Sequence, residues 1–359
     1  MSNRILTMFA RRATTPAFSV AVFTTTACVL ALLQGCAMPA GSAGEKGTGM
    51  AVAATGLETV RVNVFRGASN APIYMAIETG AFARRGIQTE LQFTPSSDAQ
   101  RDGLANGRFE IAHAAIDNAI AMVEGAHQDV VIVAGGDGGL NELLVLPEIN
   151  RLADLRNRVY VVDAPTTAYA LIGRKMLKDV GLIAGRDYTL YPIGGSEART
   201  RAFETANGAA TLLNPPWNFI ARDRGAKSLG RTIDLYGPYQ AGGVFLQRAW
   251  ARTHSALLVR YLAAYIEGCR AAMDPAQHDR VIEVLKRELK LDSRIADLTY
   301  RDLMMPGHGL SRDCSIDQAG LRNVLALRAD IEGQWGGVAP GPERYVDLNY
   351  YDQAIALVR

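Results

Sequence analysis

From Val60 onward the sequence alternates short apolar runs with longer segments of helical periodicity, and this alternation constrains the fold more than any other feature. Regular alternation of strands and helices is typical of α/β domains, in which helices cover a largely parallel sheet. We therefore predict an α/β fold built from wound sheets. Four strands are predicted before residue 140, at 61–65, 89–93, 109–114 and 129–136.

The alternation of strands and helices changes around residues 140–160, where a strand and a short polar helix precede a new strand at 159–163. Further strands are predicted at 188–193 and 209–214, residues 232–237 end this region, and beyond Trp250 the pattern is helical. The same sequence pattern occurs once in each half: a helix that ends at a glycine, then a strand, then polar residues. We predict two lobes facing a cleft, the first formed by 57–147 and 238–359, with the C-terminal helices, and the second by 148–237.

The first 35 residues show the three zones of an export signal: Arg4, Arg11 and Arg12 without an acid, an apolar stretch, and the sequence Leu-Gln-Gly before Cys36. The last zone resembles the lipobox of bacterial lipoproteins, which implies cleavage after residue 35 and a lipid on Cys36. Plain secretion and an uncleaved anchor are the alternatives, although the apolar stretch is short for a membrane span. Residues 36–56 are rich in glycine and alanine and predict a flexible tether.

The charge balance does not favour a nucleic-acid partner. The chain has 38 basic and 36 acidic residues, and loss of the three leader arginines leaves 35 basic residues and a net charge near −1. Nucleic-acid binding normally requires a basic surface.

Two of the four cysteines are candidates for a disulfide. Cys28 lies in the leader and Cys36 at the lipid position, which leaves Cys269 and Cys314. In an oxidising compartment these two would pair, and the alternative is that both are lone buried thiols.

Small and polar residues follow nearly every predicted strand. Ligands of open α/β sheets bind at the carboxyl ends of strands, where helix N termini present unpaired N–H groups. Each segment alone is also explained by helix capping, but six or seven of them converging from two lobes predict a pocket for a small polar or anionic solute. The candidate ligand-binding residues are Arg66, Ser69, Asn70, Tyr74, Ser97, Asp117, Asn118, Asp137, Thr166, Thr167, Asn214 and Trp217.

The charged and aromatic candidates have competing interpretations. Arg66 would pair with a carboxylate, sulfonate or phosphate, or else be a surface charge. Trp217 would either stack on a planar ligand or pack beneath its lobe. Tyr74 has the same two alternatives, ligand contact and core packing, and core packing is favoured. Asp117 and Asp137 would suit a cationic or hydroxylated solute.

Several short motifs resemble one family of binding proteins. They are 70–76 (NAPIYMA), 80–82 (GAF), 86–87 (GI), 104–107 (LANG) and 152–155 (LADL). Their order and spacing resemble the periplasmic substrate-binding proteins of nitrate, taurine, sulfonate and thiamine-precursor ABC importers, over about residues 57–335. The chain departs from the family at Gly208-Ala209-Ala210, where an acid commonly follows the glycine.

This resemblance implies a two-lobed, hinge-closing fold of the type II periplasmic-binding-protein class. It implies capture of a sulfonate, carboxylate or pyrimidine-type solute without a cofactor or metal, and delivery to an ABC permease and its ATPase. We expect a monomer, anchored by lipid on the periplasmic side of a bacterial membrane. A solute sensor that docks to a receptor is an alternative.

Enzymes also occur on this fold, but their residues are not recognisable in this sequence. Pyrimidine synthases of this type carry a cysteine-rich motif and sulfinate desulfinases a nucleophilic cysteine, whereas the remaining cysteines here lie in the C-terminal region. The five histidines lack metal-ligand spacing, and neither a G-x-S-x-G elbow nor a P-loop is present. His113 is the best lone candidate for chemistry, and we predict a buried structural role for it. A menaquinone-pathway enzyme would be cytoplasmic, which the leader argues against.

Overall fold

Ten strands form two five-stranded mixed sheets in the computed structural model, which describes residues 56–205 and 208–358. The predicted signal peptide, the predicted lipid site at Cys36 and all but the last residue of the tether lie outside these residues. The predictions made for them therefore stay predictions.

The first sheet is wound around its first strand. Its strands are β1 (Glu58–Val64), β2 (Ile87–Phe93), β3 (Ile111–Ala115), β4 (Val130–Gly135) and a late strand, Gly242–Gln247. β1 pairs in parallel with β2 on one side and with β3 on the other. The chain therefore reverses its winding direction at β1, and this is where open sheets bind ligands.

The second sheet repeats the arrangement. Its strands are β5 (Glu142–Val145), β6 (Val159–Val162), β7 (Thr189–Pro192), β8 (Ala210–Leu213) and β9 (Lys227–Arg231), in the order β7-β6-β8-β5-β9. β6 pairs in parallel with β7 and with β8, so the winding reverses at β6.

In each sheet, one strand directly follows the segment by which the chain crosses over from the other sheet. Both of these strands run antiparallel to their neighbours. β5 pairs with β8 and β9, and β10 (Gly242–Gln247) pairs with β3 and β4. The sequence places residues up to 147 in the first lobe, but β5 belongs to the second sheet, so the first crossing is at 136–141. β9 and β10 were not predicted, and residues 232–236 form a helix.

Helices cover both sheets. Beside the first sheet lie α1 (Ala71–Glu78), α2 (Ala81–Arg84), α3 (Ser97–Ala105) and α4 (Asp117–Ala126). The segments between the strands of the second sheet, and the crossing that follows it, contain α5 (Ala168–Asp179), α6 (Ser196–Glu204), α7 (Trp217–Asp223) and α8 (Thr232–Tyr236). The C-terminal part is helical, as predicted: α9 (Arg248–Thr253), α10 (Ser255–Ala272), α11 (His278–Leu289), α12 (Ser293–Leu303), α13 (Gln318–Glu332) and α14 (Asn349–Ala356).

Close packing of α10 on α1 fixes the polar loop that precedes α1. A Cβ atom on Gly268 of α10 would overlap the carbonyl oxygen of Pro72 and crowd the Cβ atom of Ala76. Only glycine therefore permits this approach. Because Pro72, Ala76 and most of α10 are buried, the loop at 66–70 has a rigid base.

A disulfide joins Cys269 of α10 to Cys314, 45 residues further along the chain. Both residues are fully buried, and the Cys314 carbonyl accepts from the N–H of Gly135 at the end of β4 (2.8 Å). The bridge thus ties α10 to the edge of the first sheet. Of the two alternatives left open by the sequence, the structure shows the paired state.

We expect replacement of both cysteines by serine to lower the free energy of unfolding by about 3–4 kcal/mol, because a loop of this length then regains entropy in the unfolded chain. Urea unfolding of the variant and of the wild-type protein with and without a reductant measures the effect. A difference below about 1 kcal/mol would show that the bridge contributes little.

The described part of the chain contains neither a membrane-spanning helix nor a cluster of metal-ligand side chains. No helix there has the length and apolar character needed to cross a membrane. Within the same residues, no group of three or more His, Cys, Asp or Glu side chains is placed to hold a metal ion.

Candidate solute-binding cleft

A cavity of about 80 Å³ lies between the two sheets, at the point where the winding of each one reverses. Phe65 and Arg66 follow β1, Ala115 ends β3, Asp163 follows β6 and Asn214 follows β8, and all five line the cavity. The carboxyl ends of four central strands thus converge on one space, as the sequence predicts for a two-lobed protein.

Loops of the two halves touch each other around this cavity. The N–H of Ala68 donates to the Pro215 carbonyl (3.1 Å), and the N–H of Gly195 donates to the Pro95 carbonyl (2.8 Å). The Asp163 carboxylate accepts from the N–H of Ser97 at the start of α3 (3.2 Å). The structure therefore has a closed cleft, in which backbone groups of one half bond to the other.

Eight of the twelve predicted ligand-binding residues line the cavity. Asn70 and Asn118 are held by neighbours: the Asn70 Nδ2 donates to the Phe65 carbonyl (2.5 Å), and the Asn118 Nδ2 donates to the Ser97 Oγ (3.1 Å). The predicted residues that line the cavity are Arg66, Ser69, Asn70, Ser97, Asn118, Asp137, Thr167 and Asn214.

The other four predicted residues lie beside the cavity. Tyr74 is buried in the core between α1 and the C-terminal helices. Asp117 forms a buried ion pair with Arg328 (2.6 Å), and the exposed Thr166 offers its carbonyl to the same arginine (3.4 Å). Trp217 donates from its Nε1 to the Arg66 carbonyl (3.0 Å), so it joins the two halves instead of lining the space between them.

Arg199 was not predicted and is the most strongly buried charge in the cavity lining. It lies on α6 and is only 2% exposed. Its guanidinium donates to the Gly194 carbonyl (2.8 Å), the Leu212 carbonyl (3.0 Å) and the Ser196 Oγ (3.0 Å). Among the ion pairs of the described residues none involves Arg199. Burial lowers its pKa and the nearby Asp163 opposes this shift, and an arginine stays protonated in either case.

Arg66, by contrast, lies at the rim of the cavity and already has partners. Its side chain is 36% exposed and lies 3.9 Å from Glu197. The guanidinium stacks 4.2 Å from the Phe93 ring centroid. Arg66 therefore supplies positive charge at the entrance, and Arg199 supplies it inside.

Asp137 brings a carboxyl group into the same cavity from the first crossing between the sheets. Burial raises its pKa to about 6, although the N–H of Gly139 donates to its Oδ1 (3.0 Å). Its carboxylate packs on Gly242, the first residue of β10, where a Cβ atom would overlap it. A carboxyl group with this pKa is partly protonated near neutral pH and can donate a hydrogen bond to an anion.

We expect Asp137→Asn to stabilise the protein more at pH 8 than at pH 5. With a folded-state pKa of about 6 and an ordinary value of 3.8, the wild-type protein loses stability as pH rises through 6. The advantage of the variant should grow by about 1 kcal/mol over this range. Urea unfolding at both pH values measures it, and an advantage that does not change with pH would contradict a buried, titrating Asp137.

Comparison with known proteins identifies the family of this chain. The model of the NMT1-like family matches residues 53–286, which is well over half of the chain. This chain belongs to the NMT1-like family.

Curated and solved relatives of this NMT1-like protein are named for nitrate and sulfonate. The nitrate import ATP-binding protein NrtC of Synechococcus elongatus is 25% identical over 350 residues, with 86% of this chain and 51% of NrtC covered, so the chain spans about half of that relative. The periplasmic nitrate-binding protein NrtA of Synechocystis PCC 6803 matches with a TM-score of 0.71 at 13% identity, covering 84% and 89% of the two chains. The periplasmic aliphatic sulphonate-binding protein SsuA of Escherichia coli matches with a TM-score of 0.60 at 18% identity, covering 82% and 91%.

These matches confirm two predictions from the sequence. The NMT1-like protein has the two-lobed α/β fold of type II periplasmic binding proteins, and the resemblance to the nitrate and sulfonate group is correct. The identities with the solved structures are below 20%, so these structures establish the fold and not the ligand.

The same fold also includes a desulfurization enzyme, DSZB, with a TM-score of 0.57 at 13% identity. In this NMT1-like protein the strongest candidate for chemistry, His113, lines the cavity but is buried, and its Nε2 lies 2.8 Å from the Tyr261 hydroxyl. Burial lowers the His113 pKa to about 3, so the imidazole is a poor proton acceptor near neutral pH. Both described cysteines are in the disulfide, which leaves neither of them as a free nucleophile.

Proposed function

We propose that this NMT1-like protein is the solute-binding component of an ABC importer. It captures a small polar or anionic organic solute in the cleft and delivers it unchanged to a permease. The position and lining of the cavity support this proposal. The cavity lies at both winding reversals and combines amide, hydroxyl and guanidinium donors with a histidine poorly suited to proton transfer.

The buried guanidinium in the cavity lining favours an anion, and the carboxyl groups of Asp137 and Asp163, which line the same cavity, oppose it. Arg199 is buried without a carboxylate partner within ion-pair distance among the described residues, and Arg66 adds a second guanidinium at the entrance. A buried charge of this kind is costly unless it is paired, and a solute carboxylate, sulfonate or nitrate would pair it. The names of NrtC, NrtA and SsuA agree with this class.

The closed cavity also limits the size of the solute. At about 80 Å³ it is well below the 300–1,000 Å³ of drug-sized ligand sites. A single water needs roughly 10–15 Å³ by this kind of measure, so the space suits a solute of a few heavy atoms. Nitrate, a short sulfonate or a small carboxylate meets this limit, and a pyrimidine would require a wider cleft.

A thermal-unfolding screen tests the proposal. The panel contains sulfonates, aromatic and aliphatic carboxylates, pyrimidines and nitrate. At a hundredfold excess over Kd, a true solute should stabilise the folded state by about 2.7 kcal/mol and raise Tm by several degrees. Ser69→Trp, which fills the cavity from its lining loop, should abolish the shift, and the exposed Ser293→Trp should keep it.

Two outcomes of the screen would overturn the proposal. Either no member of the panel raises Tm, or a shift persists unchanged in Ser69→Trp while the variant is folded. Small-angle scattering on any hit adds a second readout, since solute binding should favour the closed state.

We further propose that the mature protein begins at Cys36, carries lipid there and is held on the periplasmic side of a bacterial membrane as a monomer. The Leu-Gln-Gly-Cys sequence supports this placement. Fractionation of cells expressing Cys36→Ser tests it. The variant should move from the membrane to the soluble fraction, and continued partition with membranes would refute the lipid anchor.

A further inference from the structure

A second cavity, of about 340 Å³, lies on the crossing between the sheets and shares no lining residue with the cleft. It is bounded by α5, by α13 and by residues 232–239, which carry the chain from the second sheet back to β10. Its volume is within the range of small-molecule sites, whereas the closed cleft is smaller.

The lining of this cavity is apolar and aromatic. Ile172 of α5, only 1% exposed, and Ala326 and Leu327 of α13 provide aliphatic surface. Tyr236 and Tyr239, both from the returning segment, provide aromatic rings. An aromatic molecule would therefore contact aliphatic and aromatic surfaces at once.

The charged groups at the cavity are already neutralised. The Lys175 Nζ lies 5.7 Å from the Tyr236 ring centroid and 3.9 Å from the Asp330 carboxylate, and it also pairs with Asp179. The Tyr236 hydroxyl donates to the same Asp179 (3.0 Å). A charged ligand would have to break one of these pairs, so the lining favours a neutral one.

The amide of Asn323 indicates the hydrogen bond that a ligand in this cavity could make. Asn323 is an exposed residue of α13 whose Nδ2 donates to the Pro238 carbonyl (2.7 Å), and its Oδ1 is a hydrogen-bond acceptor. The hydroxyls of Thr232 and Tyr239 have essentially no accessible surface, so the Asn323 oxygen is the acceptor that a ligand can reach.

We propose that this cavity binds a neutral aromatic molecule that carries an N–H or O–H group. The ring lies between Tyr236 and Leu327, and its donor reaches the Asn323 Oδ1. Because Tyr236 and Tyr239 belong to a crossing between the sheets, occupancy restricts the crossings and is coupled to closure of the cleft. The coupling rests on the proposed function, whereas the binding itself does not.

Titration with indole, followed by calorimetry and by saturation-transfer NMR, tests the site. Wild-type protein should bind indole saturably and at least tenfold more tightly than benzoate or benzylamine, its charged comparators. Ala326→Phe should weaken indole binding at least tenfold by filling the cavity from an exposed helix position. Ala249→Phe, at another exposed helix position outside the lining, is the matched control and should bind like the wild type.

Absence of saturable indole binding, equal affinity for the charged comparators, or unchanged binding by Ala326→Phe would overturn the site. Hydrogen–deuterium exchange without any solute tests the coupling. Saturating indole should slow exchange at 136–141 and 232–241 in the wild type and not in Ala326→Phe. Binding that leaves both crossings unchanged would refute the coupling, and neither result depends on the solute screen.

Discussion

Arg328→Gln is expected to lower the free energy of unfolding by about 3–5 kcal/mol, because it leaves the Asp117 carboxylate buried without its cation. Arg328 is 2% exposed, Asp117 is 1% exposed, and the pair is 2.6 Å apart. The second carboxylate oxygen of Asp117 has no partner among the described residues, so nothing there replaces the lost charge. Urea unfolding at pH 7 measures the loss.

The same substitution should weaken solute binding, because Arg328 holds residues next to the cleft in both halves. Asp117 directly precedes Asn118, and Thr166, whose carbonyl lies 3.4 Å from Arg328, directly precedes Thr167. Asn118 and Thr167 both line the cleft. Arg328 is therefore a positioning residue whose effect on the solute acts through these neighbours.

The Arg174–Glu332 pair provides a matched control on the same end of α13. Its side chains are 22% and 19% exposed. Arg174→Gln should cost about 1 kcal/mol or less, since partly exposed pairs contribute little. The double variant Asp117→Asn with Arg328→Gln should be more stable than Arg328→Gln alone. If Arg328→Gln costs no more than Arg174→Gln, the buried pair does not have the role assigned to it.

Arg199→Gln is expected to weaken binding of an anionic solute by at least about 30-fold. Loss of one partner from a buried, charge-assisted contact costs about 2–5 kcal/mol, and 2 kcal/mol corresponds to about 30-fold. Arg199→Lys keeps the charge but loses the planar fork that bonds two carbonyls and Ser196, so it should recover only part of the affinity. Calorimetry with the best solute of the panel measures both variants.

Arg201 on the same helix is the matched control for Arg199. Its side chain is 65% exposed and pairs with Glu197 at 2.8 Å. Arg201→Gln should bind the solute like the wild type. If Arg199→Gln also binds like the wild type, the buried guanidinium does not recognise the solute, and the anionic class loses its main support.

The cleft was predictable to a large extent because strand ends are marked in the linear sequence. A short apolar run followed by small polar residues locates the carboxyl end of a strand without any knowledge of pairing. Ser97, Asn118, Thr167 and Asn214 were found in this way, and all four line the cavity. The same local signal cannot tell which side of a strand end faces the cleft.

Long-range partners explain the residues that were misplaced. Asp117 has the sequence context of a ligand contact, but its partner Arg328 lies 211 residues away. Tyr74 belongs to a core formed with helices far along the chain. No pattern near either residue contains this information, because the packing of the C-terminal helices decides it.

Two of the cavity-lining residues that were not predicted, Arg199 and Tyr265, lie within helices. Arg199 lies three positions after Ser196, so one helical face presents both to the cavity. If the search for site residues had been extended along the helix beyond its first residues, it would have included Arg199. Tyr265 reaches the cavity from α10, and nothing in the sequence predicts that approach. β10 was missed because an antiparallel strand after a crossing breaks the regular alternation.

A crystal structure of the complex with the tightest-binding solute of the panel would show how the cleft holds its ligand. We expect a chemically unchanged solute between the two sheets, with its anionic group within hydrogen-bond distance of the Arg199 guanidinium. A solute bound on the exterior of the molecule, or one converted to a different compound in the cleft, would contradict this expectation.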